Sequence, residues 1–261
     1  MTPSLLRSRR RIPLIPQGLR SGIRSGPASA RPPGPPPELP SGPGRRSRVL
    51  AGVALALTLA VGLSLALSQC GSDPEPRQTA PWADGSTHGR WTSVFNGHGT
   101  NTGDDDSLSL SPMPAEDPGT THAGLVVSTA SYDDVRFASR MRTVEQLRTP
   151  HPNPWEVPWL VWAYTDAEHF YYITLKPNGW ELGKRDPAYP GGQRFLATGH
   201  EEYPVGDWSS VRVEQQGPRL TVEVDGERLV TFTDAERPYL QGRVGAYTED
   251  AAVRFEGLEA S

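Results

Sequence analysis

Val49 to Leu67 is a run of nineteen residues without a single charge. An α-helix rises about 1.5 Å per residue, so the run reaches roughly 28 Å, close to the thickness of a bilayer's hydrocarbon core. No polar stripe interrupts it, which separates it from a helix buried in a globular core. A transmembrane or signal helix is therefore predicted over residues 49–67. Arg45, Arg46 and Arg48 stand directly before the run, and Asp73 and Glu75 follow it. That arginine excess predicts a cytoplasmic N-terminus and an extracytoplasmic C-terminal part, which puts the protein in the cell membrane.

The two flanks differ in kind. Residues 1–48 hold ten arginines and one acid, Glu38, and are crowded with Pro, Gly and Ser. A segment so poor in large apolar side chains buries too little surface to offset its ordering entropy, so 1–48 reads as disordered. Residues 71–261 hold 16 basic and 29 acidic side chains, a net charge of −13. An acidic exposed domain repels phosphate backbones, which argues against a nucleic-acid partner.

Cys70 is the only cysteine, so no internal disulfide can form. Leu67-Ser68-Gln69-Cys70 resembles a bacterial lipoprotein box, in which the cysteine is lipidated after cleavage. Gln69 departs from that pattern, which wants a small residue there. An uncleaved single-pass anchor is the alternative, and both readings stay open. Residues 68–90 read as a linker.

From Trp91 the pattern changes to short β-type runs between turn residues. Val135, Phe137, Ser139, Met141 and Thr143 alternate with Arg136, Ala138, Arg140 and Arg142. Trp159–Tyr164, Phe170–Leu175 and Trp180–Lys184 form three further runs, with Lys176-Pro177-Asn178-Gly179 as the turn between the last two. Val211 and Val213, then Leu220, Val222 and Val224, alternate around Gln216-Gly217-Pro218, and Asp225-Gly226 makes the next hairpin. Ten to eleven strands without a helix predict an all-β, antiparallel two-sheet jelly-roll sandwich over residues 91–261.

The C-terminal part carries a resemblance. Asp207-Trp208 precedes a strand; Val222-Glu223-Val224-Asp225-Gly226, Gly242-Arg243-Val244-Gly245 and Val253-Arg254-Phe255 follow in turn. This outline resembles the concanavalin A-like lectin/glucanase superfamily. Within it, the likeness is nearest to laminin-G-like modules and to bacterial 3-keto-disaccharide hydrolase domains. It implies the sandwich fold, which in that superfamily serves lectins, glycosidases and plain spacers alike. It carries over no catalytic residue, because the Glu-x-Asp-x-x-Glu spacing of the superfamily's glucanases is absent and no polar residue of the hydrolase domains can be matched.

The densest unusual stretch is Trp155 to Asp186, rich in Trp and Tyr. Sugar C–H faces stack on aromatic rings, while hydroxyls want carboxylate, amide or cationic partners. Strand parity groups Trp162 with Tyr164, Tyr172 with Thr174, and Trp180 with Lys184. A carbohydrate-binding floor of Trp162, Tyr164, Tyr172 and Trp180, edged by Lys184 and Glu181, is the expectation, set against plain core packing of the same rings. A second reading is a glycoside hydrolase or lyase using Glu181, Asp186 or His169 with Lys184. A third is a structural or partner-binding domain. No cofactor is implied. Asp104-Asp105-Asp106 reads as a solvated acidic turn, with a calcium site as its alternative.

Overall fold

The computed structural model describes residues 80–261. The basic segment 1–48, the apolar run 49–67 and Cys70 lie outside the described residues. Among the described residues no helix is long and apolar enough to cross a membrane.

Among the described residues there are fifteen strands and one short 3₁₀ turn. They run β1 (Thr87–His88), β2 (Trp91–Phe95), β3 (Thr100–Gly103), β4 (Ser107–Ser111) and β5 (Ala123–Ser128). Then come β6 (Arg136–Gln146), β7 (Trp159–Asp166), β8 (His169–Lys176), β9 (Gly179–Arg185) and β10 (Gln193–Gly199). The last are β11 (Ser209–Gln216), β12 (Arg219–Val224), β13 (Glu227–Thr233), β14 (Arg243–Glu249) and β15 (Ala251–Ala260). An eight-stranded sheet has the order β1-β2-β5-β14-β7-β8-β9-β10, and a seven-stranded sheet the order β13-β12-β11-β6-β15-β4-β3. All pairings are antiparallel, giving the predicted two-sheet jelly-roll sandwich. The strand count exceeds the predicted ten to eleven partly because β1 and β3 are short and polar and lack an apolar run.

The core follows from period-two alternation. Phe137 and Met141 on β6, Val211 and Val213 on β11, and Leu220 and Val222 on β12 meet Leu160 and Trp162 on β7 and Tyr171 and Ile173 on β8. The arginines that alternate with them on β6 face away from this layer. Residues 80–90, read as linker, contribute Trp82 to the same core. Its amide donates to the Asn101 carbonyl at 2.8 Å and its ring stacks on His88.

The hairpins are chemically ordinary. Asp225 and Gly226 take φ values of 53° and 84°, as a tight two-residue turn requires. Between β8 and β9 the two-residue loop is Pro177-Asn178, and Gly179 already pairs with Lys176 as the first residue of β9. The three aspartates sit in the β3–β4 turn. Asp104 accepts from the amides of Asp106 and Ser107, and Asp105 accepts from the amide of Arg90. Among the described residues no group of three metal-ligating side chains converges.

Candidate functional site

Sheets usually bury one face; here the eight-stranded sheet carries aromatic side chains on both. Opposite the inter-sheet core lies a second apolar cluster of Leu125, Val127, Trp159, Val161, Phe170, Tyr172 and Tyr247. Register aligns it in two rows: Tyr247, Trp159, Thr174 and Glu181 across four strands, then Gly245, Val161, Tyr172, Gly183 and Phe195 across five. The Trp159 and Tyr172 rings stand 4.5 Å apart, and Trp159 and Tyr247 5.2 Å apart edge to face.

Polar groups border these rings. The Tyr172 hydroxyl donates to Glu181 at 3.3 Å and accepts from the Gln193 amide. Lys176 closes on the same Glu181 carboxylate. The Tyr247 hydroxyl donates to Glu249 Oε1 at 2.6 Å. Burial pushes the Glu249 carboxyl up to about 7, against the opposing pull of that hydrogen bond and of Arg185. Burial likewise pushes the hydroxyls of Tyr172 and Tyr247 upward, so both stay neutral donors at working pH. Two large apolar side chains at the border stay open to solvent: Trp155 at 37 % and Phe195 at 61 % exposure.

The loop bearing Trp155 is fixed by a buried charge triad. Arg148 contacts Glu156 and Asp250, each at 2.5 Å. Asn153 donates to Glu156 through both its amide groups. The Trp155 carbonyl then accepts from Trp159 Nε1 at 3.0 Å, which ties the loop to the aromatic face.

The predicted floor divides between the two faces. Trp162, Trp180 and Lys184 point into the sandwich, while Tyr164, Tyr172 and Glu181 point outward. The grouping of Trp162 with Tyr164 is corrected by a β-bulge. Ala163 takes φ of +50°, and against β14 the step from Val161 to Tyr164 is one residue longer than that from Gly245 to Arg243, so parity reverses. Trp162 is consequently core, stacked near Tyr171. Trp180 is core too, with its indole N–H on Glu201 at 2.6 Å. Lys184 is fully buried and pairs with Asp234 at 2.8 Å, so it edges no ligand surface. Of the outward three, Tyr172 and Glu181 touch, whereas Tyr164 packs beside Phe170. The other catalytic candidates gather away from this face, around Tyr239: Asp186 pairs with Arg237 at 3.3 Å and lies 3.8 Å from Lys184, which sits over the Tyr239 ring, and His169, held by Asp166 at 2.8 Å, meets that ring edge-on.

Phe195, Gln193, Arg185, Tyr247 and Glu249 were not singled out in the sequence. An apolar residue on a polar edge strand was the available signal for Phe195. Tyr247 and Glu249 are set apart only by register, because nothing local distinguishes them from other strand residues.

The family model for the 3-keto-alpha-glucoside-1,2-lyase-like domain matches residues 79–259. The chain belongs to this family. The match begins three residues before Trp82 and ends in β15, so the family domain and the folded sandwich coincide. Among solved structures, the lyase-like domain superposes on the carbohydrate binding module CBM66 from Bacillus subtilis with a TM-score of 0.53 and 16 % identity. That match covers 69 % of this chain and 99 % of the module, and it fixes the fold. A Bacillus subtilis protein of unknown function with a galectin-like fold gives a TM-score of 0.49 at 13 % identity, over 65 % of this chain and 88 % of its own. The exoplasmic/lumenal domain of VIP36, in its Ca²⁺/Man3GlcNAc-bound form, gives 0.45 at 12 % identity, over 66 % and 84 %. No curated protein sequence matches the chain.

Proposed function

We propose that the lyase-like domain binds a saccharide on the outer face of its eight-stranded sheet, and that residues 49–67 hold it on the outer side of the cell membrane. One observation carries the binding reading: exposed Trp155 and Phe195 border a face on which Tyr172, Glu181 and Gln193 are already hydrogen-bonded together. Aromatic faces for C–H stacking beside oriented hydroxyl, amide and carboxylate groups are what a pyranose ring needs. The fold shared with a carbohydrate binding module supports the reading.

A glycan-array screen of the full-length protein tests it, with Phe195→Ala and Tyr172→Phe beside the wild type. Phe195 is exposed, so its truncation leaves unfolding unchanged while lowering affinity roughly tenfold. Signal that survives both substitutions undiminished removes this face from consideration. The anchor is tested separately: mass spectrometry of the mature N-terminus distinguishes acylated Cys70 from an intact helix.

A second reading, lyase action on a 3-keto-glucoside, is favoured by Glu249. A carboxyl that titrates near neutrality, held by Tyr247, has the proton affinity of a general base or acid at pH 7. The ketone at C3 acidifies the C2 proton. Its removal by a carboxylate, with protonation of the oxygen leaving C1, breaks the glycosidic bond without water. Incubation with a 3-keto-disaccharide, followed for release of the leaving sugar, checks this. Glu249→Gln abolishes the release, and an unaltered rate in that variant excludes Glu249 from the chemistry.

A further inference from the structure

Two arginines are buried on or beside this sheet, and their situations differ. Arg148 is met by two carboxylates. Arg185, at 8 % exposure, has no carboxylate within 4.0 Å among the described residues. Its one hydrogen bond runs from Nη1 to the Gly191 carbonyl at 3.4 Å, and its buried Nε has no partner at all. A desolvated cation with unmet donors costs the free protein stability, and such groups are retained where something else satisfies them.

The unpartnered groups lie on one edge of the guanidinium. Nη1 is spent on Gly191, which leaves the side formed by Nε and Nη2. That side is the one that receives both oxygens of a carboxylate in parallel. Gly192, at φ +67°, packs against the other end of the guanidinium: a Cβ there would come 3.3 Å from Nη2 and 3.7 Å from Nη1. Arg185 also belongs to the face described above: it pairs across the strands with Phe170 and with Gln193, whose amide reaches the Tyr172 hydroxyl.

We infer that Arg185 anchors an anionic subsite on this face, and that the saccharide bound there carries a carboxylate, as a uronic acid does. The inference rests on the saccharide-binding reading and narrows its ligand class. A neutral pair of hydroxyls would satisfy two donors and leave the buried charge uncompensated; a carboxylate does both. Glu181 cannot serve internally, since it is held by Lys176 and Tyr172. Glu249 lies within electrostatic range of Arg185 but bonds Tyr247 instead.

Isothermal titration calorimetry of the full-length protein with a neutral gluco-oligosaccharide and its glucuronate counterpart tests the proposal. The glucuronate form binds roughly 10- to 100-fold more tightly, the gain expected of a charge-assisted pair. Arg185→Gln removes that preference, and Arg185→Lys, which keeps the charge and loses the fork, removes most of it. A second readout is independent of ligand: Arg185→Met melts no lower than wild type without sugar, because only the long hydrogen bond to Gly191 is lost and a buried charge is removed. Equal affinity for both sugars overturns the anionic subsite while leaving saccharide binding intact. Preference that persists in Arg185→Gln overturns the assignment to this residue. Binding of neither sugar overturns both readings, and a large drop in melting temperature for Arg185→Met shows a structural cation.

Discussion

Gly183 lies directly beneath the hydroxyl end of Tyr172: a Cβ on Gly183 would collide with the phenolic oxygen and come within 2.8 Å of ring carbon Cε1. The Tyr172 ring therefore lies flat across β9, which brings its hydroxyl to Glu181 and Gln193. Gly183 has no unusual backbone requirement, so the constraint is steric alone. Gly183→Ala is expected to displace the ring, break both hydrogen bonds and cost about 1–3 kcal/mol from overpacking. Urea unfolding reads the stability and calorimetry the saccharide affinity. Unchanged values for both would mean that the ring is free to shift.

Glu249 makes stability fall with rising pH. Its carboxyl takes up a proton near pH 7 when folded and near 4.5 when unfolded. Below 4.5 both states are protonated and there is no penalty. Between 4.5 and 7 the unfolded chain ionises first, so the penalty grows to the order of 3 kcal/mol above pH 7. Glu249→Gln removes that dependence: the variant should gain on wild type as pH rises from 5 to 8. Parallel stability curves for the two proteins across this range would contradict it.

The fold was legible because its signals are local. The alternation of Phe137, Ser139 and Met141 against Arg136, Ala138 and Arg140 names the buried face of β6, and Asp225-Gly226 names its own hairpin. The site was only half legible. Period-two alternation tells which residues share a face, not which face is inside, and β7 and β8 carry aromatic rings on both. Trp162 and Tyr171 face the core while Trp159 and Tyr172 face outward, with nothing in composition to separate them. The bulge at Ala163 uses neither Gly nor Pro, so parity beyond it could not be read. Arg185 gave no signal either, since its distinction is the absence of a partner that only register reveals.

Lys184 is a structural residue. Its ammonium meets Asp234 at 2.8 Å and the carbonyls of Glu236 and Arg237 at 2.7 and 3.0 Å. Burial pushes the Asp234 carboxyl up, but hydrogen bonds from Lys184 and Tyr171 outweigh it and hold the group below the usual range. Lys184→Met strands a buried carboxylate and is expected to cost about 3–5 kcal/mol, whereas Lys184→Met with Asp234→Asn recovers much of the loss. Denaturant melts of the single and double variants measure the difference. Saccharide binding by the folded fraction persists in both; its selective loss would return Lys184 to the ligand surface.

The Arg148–Glu156–Asp250 triad is a clamp on the Trp155 loop, and its strength is concentrated in Glu156. Glu156 is fully buried and receives Arg148 Nε together with both amide groups of Asn153. Asp250 is less replaceable as backbone than as charge, because it holds φ at +42° in the β14–β15 turn and accepts from the His122 amide. Burial pushes its carboxyl up, against that amide and Arg148, so its ionisation depends on the guanidinium beside it. Glu156→Ala leaves Arg148 with one carboxylate and Asn153 with unmet donors, at an expected cost of about 3–5 kcal/mol. The loss should fall unevenly. The loop over residues 147–158 is joined to the sheet through Trp159 Nε1 and the Pro158 carbonyl, and these bonds loosen once Glu156 is gone. Hydrogen exchange should therefore quicken at residues 147–158 before it does so at β6 or β11, and saccharide affinity should weaken with the displacement of Trp155. Uniform acceleration across the whole sandwich would show that the triad supports the fold at large and does not position the loop.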